Sequence, residues 1–149
     1  MKKILVPVDF NPLATAALRH AAQLAQETGA ALIVMYADTF EPPAEFTSKQ
    51  TDTLAASIAD SRRRTAEELD RYAHEHVSVT LPMQTEVREA LPVEGILAAI
   101  NEHQPDLVVM GTHGRGALSR LMFGSVARAV LRATNVPVVT IDRAEASKP

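Results

Sequence analysis

The chain has 149 residues, 46% of them hydrophobic, and a formal net charge of −3 at pH 7. It has no cysteine and only 4% aromatic residues. This composition suits one α/β domain with its own core, excludes disulfides and cysteine chemistry, and argues against nucleic acid as a partner. The first apolar run is broken by Pro7 and Asp9, far short of a membrane span, so we expect a cytoplasmic protein with no membrane partner.

Short β-branched runs alternate with longer helical stretches, a pattern typical of a parallel sheet with crossover helices. The first strand is predicted over residues 3–8. Asn11 and Pro12 supply an N-cap and a first-turn proline for a helix that ends at Gly29. The second strand, residues 31–37, has the unbroken apolar character of a strand covered on both faces.

The middle of the chain is predicted to contain one long helix between a loop and a strand. The loop, residues 38–51, is either a lid over a site or a merely variable connection. The helix covers residues 52–75, and its basic run, residues 62–64, is expected to pair with acidic residues further along the same helix: Glu67, Glu68 and Asp70. The third strand is predicted over residues 78–87, with its register disturbed by Pro82.

The last part of the chain is predicted to contain two helices and two strands. A helix over residues 92–102 precedes the fourth strand, residues 106–110, and a helix starting near Gly124 leads to the last strand, residues 138–141. We expect residues 144–149 to form a disordered tail.

Four of the six glycines lie in the segment that follows the fourth strand: Gly111, Gly114, Gly116 and Gly124. A strand that opens into a glycine-rich loop and then a helix can hold a phosphate, because the free N–H groups at the helix start carry the positive end of the helix dipole. The alternative is that the glycines only permit tight turns. Ser125, directly after Gly124, adds a hydroxyl at the same helix start.

The segment matches neither common phosphate-binding signature. The dinucleotide fingerprint lacks its third glycine, no Gly-Lys-Ser/Thr occurs, and lysine is absent between Lys49 and Lys148. A phosphate charge must therefore be met by the backbone, by Ser125, by a bound metal ion, or by the nearby arginines: Arg115, Arg120 and Arg128. Fast phosphoryl transfer of the common nucleotide-hydrolase kind has little support.

Motifs along nearly the whole chain resemble those of the universal stress proteins, in their small, single-domain, adenine-nucleotide-binding form. They are the start at residues 4–10, the helix start at residues 92–96, residues 106–114, and residues 124–126 leading to residues 137–138. The family's diagnostic pattern is Gly, two residues, Gly, nine residues, Gly, then Ser or Thr. Gly111, Gly114, Gly124 and Ser125 match this pattern in full.

The resemblance implies an adenine-nucleotide site built from the ends of several strands. Asp9 would lie by the ribose and adenine, and the backbone of Ala37 would meet the adenine edge. Pro7 and Val8 would wall the pocket, while Met110 and Gly111 would flank the ribose. The phosphates would be held by Gly114, Gly124, Ser125 and Val126, with His113 and Arg115 beside them. The expected cofactor is ATP, with Mg²⁺ carried by its phosphates. Asp9 alone could instead be a turn residue or helix cap.

Three residues depart from the family pattern. Asn11 stands where serine is frequent, and it still caps a helix. Ala90 stands where many members have glycine, which would mean strain if that backbone needs a positive φ. Ala37 is smaller than the valine of some nucleotide-binding members, which would loosen the packing on adenine.

Other candidate sites are weaker. His113 could act as an acid or base, but a structural or phosphate-neighbouring role is favoured because no second catalytic group is placed by the sequence. Ser125 lacks the base and elbow motif of a covalent nucleophile. The run from His74 to His76 has no further cluster to complete a metal site, so we interpret it as a solvated helix end.

The predicted fold is therefore a doubly wound, five-stranded parallel α/β sheet with helices on both faces, whose strand order 3-2-1-4-5 is implied by the resemblance. Residues 1–143 are expected to form one nucleotide-binding domain. The apolar last strand, Val138 to Ile141, would pair with its twin in a homodimer, as in the resembled family.

The leading functional hypothesis is an ATP-binding stress-response regulator with an unknown protein partner. One alternative is a slow ATPase or self-phosphorylating protein using Ser125 or His113, and another is a dimeric interaction protein that binds no nucleotide.

Overall fold

The structure, a computed structural model, describes residues 1–39, 48–113 and 123–142. Strands and helices alternate within these ranges. In chain order they are β1 (Lys3–Pro7), α1 (Pro12–Thr28), β2 (Ala31–Ala37), α2 (Ser48–His76), β3 (Met83–Arg88), α3 (Pro92–His103), β4 (Leu107–Gly111), α4 (Ser125–Ala133) and β5 (Val138–Ile141). Residues 144–149, predicted to form the tail, lie outside the described residues.

The five strands form one parallel sheet in the order β3-β2-β1-β4-β5, which confirms the predicted doubly wound fold. Alternate residues of each strand face opposite layers of helices. Ile4 and Val34 pack with α1 and α2 on one face. Leu5 and Met35 pack with α3 and α4 on the other. The central strands are covered on both faces, which is why their sequences are continuously apolar.

Helix α1 begins as the sequence predicts. The Oδ1 atom of Asn11 accepts a hydrogen bond of 2.8 Å from the amide of Ala14, Pro12 occupies the first turn, and Gly29 ends the helix with a φ of 71°. The predicted bounds of β2 and β5 are also confirmed.

The prediction for the third strand is wrong at its start. β3 begins at Met83, five residues after the predicted position, because Pro82 has no N–H to donate and only its carbonyl joins the ladder, accepting from Leu32 at 2.8 Å. Helix α2 begins at Ser48, so the predicted loop is shorter than expected, and residues 40–47 of that loop lie outside the described residues.

The predicted partners of the basic run on α2 are also wrong. Arg63 and Arg64 pair with Asp60, one turn before them, and Arg62 pairs with Glu89 beyond the end of β3. The first two pairs follow helix spacing in the direction opposite to the prediction, while the third depends on the tertiary fold. None of the helices in the described ranges is long and apolar enough to cross a membrane.

Two polar networks connect elements that are distant in sequence. Arg88 at the end of β3 donates to Glu86 at 2.8 Å and to Glu102 of α3 at 2.6 Å. At the opposite end of the sheet, the carboxylate of Asp106 accepts the backbone amides of Lys2 and Lys3 at 2.7 and 2.9 Å. These contacts fasten an edge strand to α3 and the N-terminus to β4.

We expect the protein to lose stability in acid. Hydrogen bonds from the Lys2 and Lys3 amides lower the pKa of Asp106 below its ordinary value of 3.8, and the hydrogen bond from Arg88 lowers the pKa of Glu102 below 4.5. Because the folded-state pKa values are depressed, this stabilisation is present above the unfolded-state pKa values and is lost as the pH falls through the folded ones. The melting temperature should therefore drop between about pH 5 and pH 2.5. An Asp106→Asn variant should show a shallower drop, and identical acid profiles would contradict the role of Asp106.

Candidate functional site

A cleft of about 510 Å³ opens at the carboxyl ends of the strands, between the N-termini of α3 and α4. It lies where the strand order reverses between β1 and β4, the usual ligand position in open parallel sheets. Every predicted site residue within the described ranges lines it: Pro7, Val8, Asp9, Ala37, Met110, Gly111, His113, Gly124, Ser125 and Val126. Gly114 and Arg115 lie outside the described residues.

The turn between β1 and α1 presents Asp9 to the cleft through an unusual backbone conformation. Phe10 has a φ of 63°, a left-handed angle that is rare for a bulky residue. Its ring is held between Tyr36 and Tyr72, with centroid distances of 5.0 and 4.9 Å. Burial raises the pKa of Tyr72 above its ordinary value of 10.0, and the charge of Asp9 adds to this effect. The aromatic packing thus stabilises the strained turn that carries Asp9.

The apolar floor of the cleft includes Met35, Ala37 and Ile96. Gly95 of α3 faces β2, and a Cβ placed on it would lie 3.4 Å from the Cβ of Ala37 and 3.5 Å from that of Ala90. Among the described residues, the non-glycine residues with a positive φ are Phe10 and Gln104. Ala90 therefore carries no left-handed backbone strain, and alanine is accommodated where the family pattern often has glycine.

The end of β4 approaches α1 closely. A Cβ placed on Gly111 would lie 3.0 Å from the Cβ of Leu13 and 3.5 Å from the backbone nitrogen of Ala14. The contact with the Cβ of Leu13 is tighter than ordinary van der Waals packing, so a side chain at this position would require α1 to shift. This close approach brings the first turn of α1 against the wall of the cleft.

Beyond β4, a buried hydroxyl orients the imidazole of His113. Thr112 is 2% exposed, and its Oγ1 donates to the carbonyl of Ile141 at 3.3 Å and lies 2.7 Å from Nδ1 of His113. Because the Thr112 hydroxyl donates its proton to the Ile141 carbonyl, its oxygen can accept a hydrogen bond from Nδ1–H of His113. A neutral imidazole with its proton on Nδ1 has Nε2 as an acceptor. Within the described part of the chain, Nε2 is buried without a hydrogen-bond partner. A buried polar atom of this kind calls for a partner supplied from elsewhere.

Helix α4 begins at the cleft without a side-chain cap. Its N-cap is Gly124, whose amide donates to the carbonyl of Thr112 at 2.7 Å. Its φ of −60° and ψ of 152° are accessible to any residue, so glycine is not required here for its backbone angles. The amides of the first turn, from Ser125 to Ala127, have no acceptor earlier in the helix. Within the described residues these amides have no hydrogen-bond acceptor, so the positive end of the α4 dipole meets the cleft with available donors.

The sequence profile of the universal stress protein family matches residues 1–142. The chain belongs to this family. It is 27% identical to a universal stress protein of Methanocaldococcus jannaschii over 146 residues, which covers 95% of this chain and 82% of that protein. Its structure superposes on the universal stress protein UspA of Lactobacillus plantarum with a TM-score of 0.75 and 26% identity, covering 94% of this chain and 97% of the other.

A universal stress protein of Archaeoglobus fulgidus, solved in complex with dAMP, also shares the fold. The TM-score is 0.61 and the identity is 21%, with 95% of this chain and 98% of that chain covered. At this identity the comparison establishes the shared universal stress protein fold.

Several residues that line the cleft are not among those predicted from the sequence. They are Ala14, Met35, Tyr36, Thr39, Pro92, Ile96, Thr112 and Ala127. Most lie one or two residues from a predicted site residue, or at the N-terminus of α3, which the parallel topology brings to the same edge of the sheet. Combining the predicted strand ends with the predicted helix starts would have found them. The left-handed angle of Phe10 has no comparable signal in the sequence.

The arrangement fits a ligand with an apolar planar group, hydroxyls and a negative charge. The apolar floor suits the planar group, the carboxylate of Asp9 can accept from hydroxyls, and the first-turn amides of α4 can donate to an anion.

The run from His74 to His76 lies outside this cleft: the His74 ring contacts Asp70, and the His76 ring packs on Tyr72.

Proposed function

We propose that this protein is a cytoplasmic stress-response regulator that binds an adenine nucleotide, ATP with Mg²⁺ carried by its phosphates, in the cleft at the carboxyl ends of the strands. The observation that carries the proposal is the N-terminus of α4, which lines the cleft and whose first-turn amides have no acceptor among the described residues. Because an anion at a helix start is stabilised by both the amides and the dipole, a phosphate is the natural ligand there.

In this proposal, three groups of cleft residues contact the adenine, the ribose and the phosphates of the nucleotide. Pro7, Val8 and the backbone of Ala37 pack on the adenine. Asp9, Met110 and Gly111 contact the ribose, where the carboxylate accepts hydrogen bonds from hydroxyls. The phosphates lie against His113, Gly124, Ser125 and Val126, together with Gly114 and Arg115.

His113 supports the phosphate end of the site. A neutral ring can accept a hydrogen bond at Nε2 from a hydroxyl, whereas a protonated ring can donate to a phosphate oxygen. The Archaeoglobus fulgidus protein that shares the fold was solved in complex with dAMP, which supports an adenine nucleotide as the class of ligand.

Regulation would follow from occupancy of the cleft. A bound nucleotide would satisfy the first-turn amides of α4 and place its phosphate charge at the start of that helix, so it would favour the conformation of the protein to which it binds more tightly. A protein partner that contacts this surface would then distinguish the loaded from the empty protein. Partner binding that is unchanged by nucleotide would contradict this mechanism.

The first experiment combines mass spectrometry of ligand released from the purified protein with calorimetric titration by ATP, AMP and GTP. We expect an adenine nucleotide to be released or bound, with GTP as the control for base selectivity. If neither experiment detects an adenine nucleotide, the proposal fails and a dimeric interaction protein becomes the leading account.

We further propose that the protein forms a homodimer through the open edge of β5. The carbonyls of Pro137 and Ile141 accept from Val108 and Thr112 at 2.9 Å, so the odd-numbered residues of β5 face β4. By alternation, the N–H and C=O groups of Val138 and Thr140 point away from the sheet. An edge of this kind can pair with its twin strand across a two-fold axis.

A Thr140→Pro variant should therefore be monomeric. Proline removes an outward N–H but leaves the ladder with β4 intact, so the fold should persist while the dimer dissociation constant rises at least ~10-fold. Light scattering during gel filtration measures the mass, and circular dichroism checks the fold. Thr140→Val, which keeps the N–H, is the matched control. A wild-type protein that is monomeric at all concentrations would overturn the dimer proposal.

A further inference from the structure

The side chain of Asn11 joins three separate parts of the cleft wall. Its Oδ1 accepts from the amide of Ala14 at 2.8 Å and thereby caps α1. Its Nδ2 donates to Oδ2 of Asp9 at 3.0 Å and also to the backbone carbonyl of His113 at 3.0 Å. One amide group thus connects the end of β1, the start of α1 and the segment that follows β4.

These contacts exceed what capping requires. A cap needs only an oxygen that accepts from the first turn, and serine or aspartate supplies one equally well. The two bonds from Nδ2 need two N–H donors on a short side chain, which asparagine supplies and neither serine nor aspartate can. Of these three capping residues, only asparagine can therefore contact Asp9, His113 and the start of α1 at the same time.

The contact with His113 crosses the switch point of the sheet. Asp9 follows β1 and His113 follows β4. These strands are neighbours at the point where the strand order of the sheet reverses. Asp9 lies at the ribose end of the proposed site, whereas His113 begins the segment that leads to the phosphate end. The side chain of Asn11 thus links these two ends across the switch point, where β1 and β4 are paired and the Asn11 backbone amide also donates to Oδ1 of Asp9 at 3.3 Å.

We propose that Asn11 is a positioning residue that holds the carboxylate of Asp9 and the backbone of His113 at one fixed separation, and so preorganises the cleft for its ligand. The inference rests on the proposed function for the identity of that ligand, an adenine nucleotide. The Asn11 amide itself is engaged on all three sides, so it acts through Asp9 and His113.

The first arm of the test uses the protein without nucleotide. In an NMR measurement of side-chain amide exchange, both Nδ2 protons of Asn11 should exchange much more slowly than those of Asn101 and Asn135, which are exposed. Asn11→Ser should shift the backbone amide signal of His113, although that residue is 102 positions away in sequence. Rapid exchange at Asn11, or an unchanged His113 signal, would overturn the inference whether or not a nucleotide binds.

The second arm measures ATP affinity by calorimetry. Asn11→Ser keeps a capping oxygen, so its melting temperature should stay close to that of the wild type while affinity falls roughly 10-fold, the value of a hydrogen bond to a charged group. Asn11→Asp places a second carboxylate against Asp9, so we expect a larger loss, about 100-fold at pH 8. Asn101→Ser, at an exposed position of α3, is the control and should bind like the wild type.

The pH profile of Asn11→Asp separates positioning from a general loss of structure. As the pH falls from about 8 to 5, the carboxyl that this variant introduces becomes protonated and regains a donor for Asp9, so the affinity relative to wild type should recover. Taking the ratio to wild type removes the titration of the ATP phosphates, which is common to both proteins. If the wild type binds ATP and both Asn11 variants bind it equally well, the positioning role is overturned. If the wild type binds no nucleotide but Asn11 is protected in the first arm, only the proposed function fails.

Discussion

Replacing Gly124 by aspartate should make the protein slightly more stable and nearly unable to bind ATP. Aspartate is among the best N-cap residues, and its negative charge at a helix start is favourable, so the free energy of unfolding should rise by about 0.3–1 kcal/mol. The backbone angles of Gly124 allow the substitution without strain. The new carboxylate would take up the free amides of α4 and repel the phosphates, so the affinity should fall at least ~100-fold.

Calorimetry and thermal unfolding on the same samples measure the two effects. Gly124→Asn is the matched control, because it caps the helix with a neutral side chain and should weaken binding less than aspartate does. Opposite changes in stability and affinity would distinguish loss of the anion site from loss of fold. A Gly124→Asp protein that binds ATP as tightly as the wild type would show that the phosphates lie elsewhere.

Replacing Gly111 by valine should destabilise the protein strongly. The new Cβ would lie 3.0 Å from the Cβ of Leu13, which is tighter than ordinary contact. Because that Cβ is attached directly to the backbone of α1, the helix itself would have to move to make room for valine. We expect the free energy of unfolding to fall by about 2–3 kcal/mol, as for overpacked cores. Urea denaturation measures the change, and Gly111→Ala, with a loss of about 1 kcal/mol, serves if the valine variant does not fold.

Gly95 provides the control for this prediction. A Cβ on Gly95 would meet its nearest atoms at 3.4–3.6 Å, close to ordinary contact distances, and the residue lies in the interior of α3. Gly95→Ala should therefore stabilise the protein by about 0.5–1 kcal/mol through helix propensity. Equal stability of Gly111→Val and wild type would show that α1 can shift away from β4 at little cost.

Local signals in the sequence were sufficient for most of the fold. The N-cap Asn11, the C-cap Gly29 and the unbroken apolar run of β2 each act within a few residues, and the structure confirms all three. The predicted start of β3 is wrong because Pro82 has no N–H to donate, so the strand begins only at Met83. The ion pair of Arg62 with Glu89 joins two elements through the tertiary fold, which the spacing of charges along a helix cannot predict.

In the candidate site, too, the features that depend on local sequence were predicted, and those that depend on tertiary contacts were not. The glycine spacing and the ends of the strands predicted residues that the fold does bring to one cleft, although their role in binding stays a prediction. Asn11 was predicted only as a cap, because its contact with His113 depends on two strands becoming neighbours in the sheet. The conformation of Phe10 was not predicted, since it results from packing between Tyr36 and Tyr72 and not from an intrinsic preference of phenylalanine.

The aromatic packing around Phe10 also gives the protein an intrinsic optical probe. The chain has no tryptophan and two tyrosines, and both tyrosine rings contact Phe10, the residue directly after Asp9. All tyrosine emission therefore originates beside the cleft, and a rearrangement of the β1–α1 turn would change the environment of every emitting group. Fluorescence of the unlabelled protein should then follow events at the cleft without interference from emitters elsewhere in the chain.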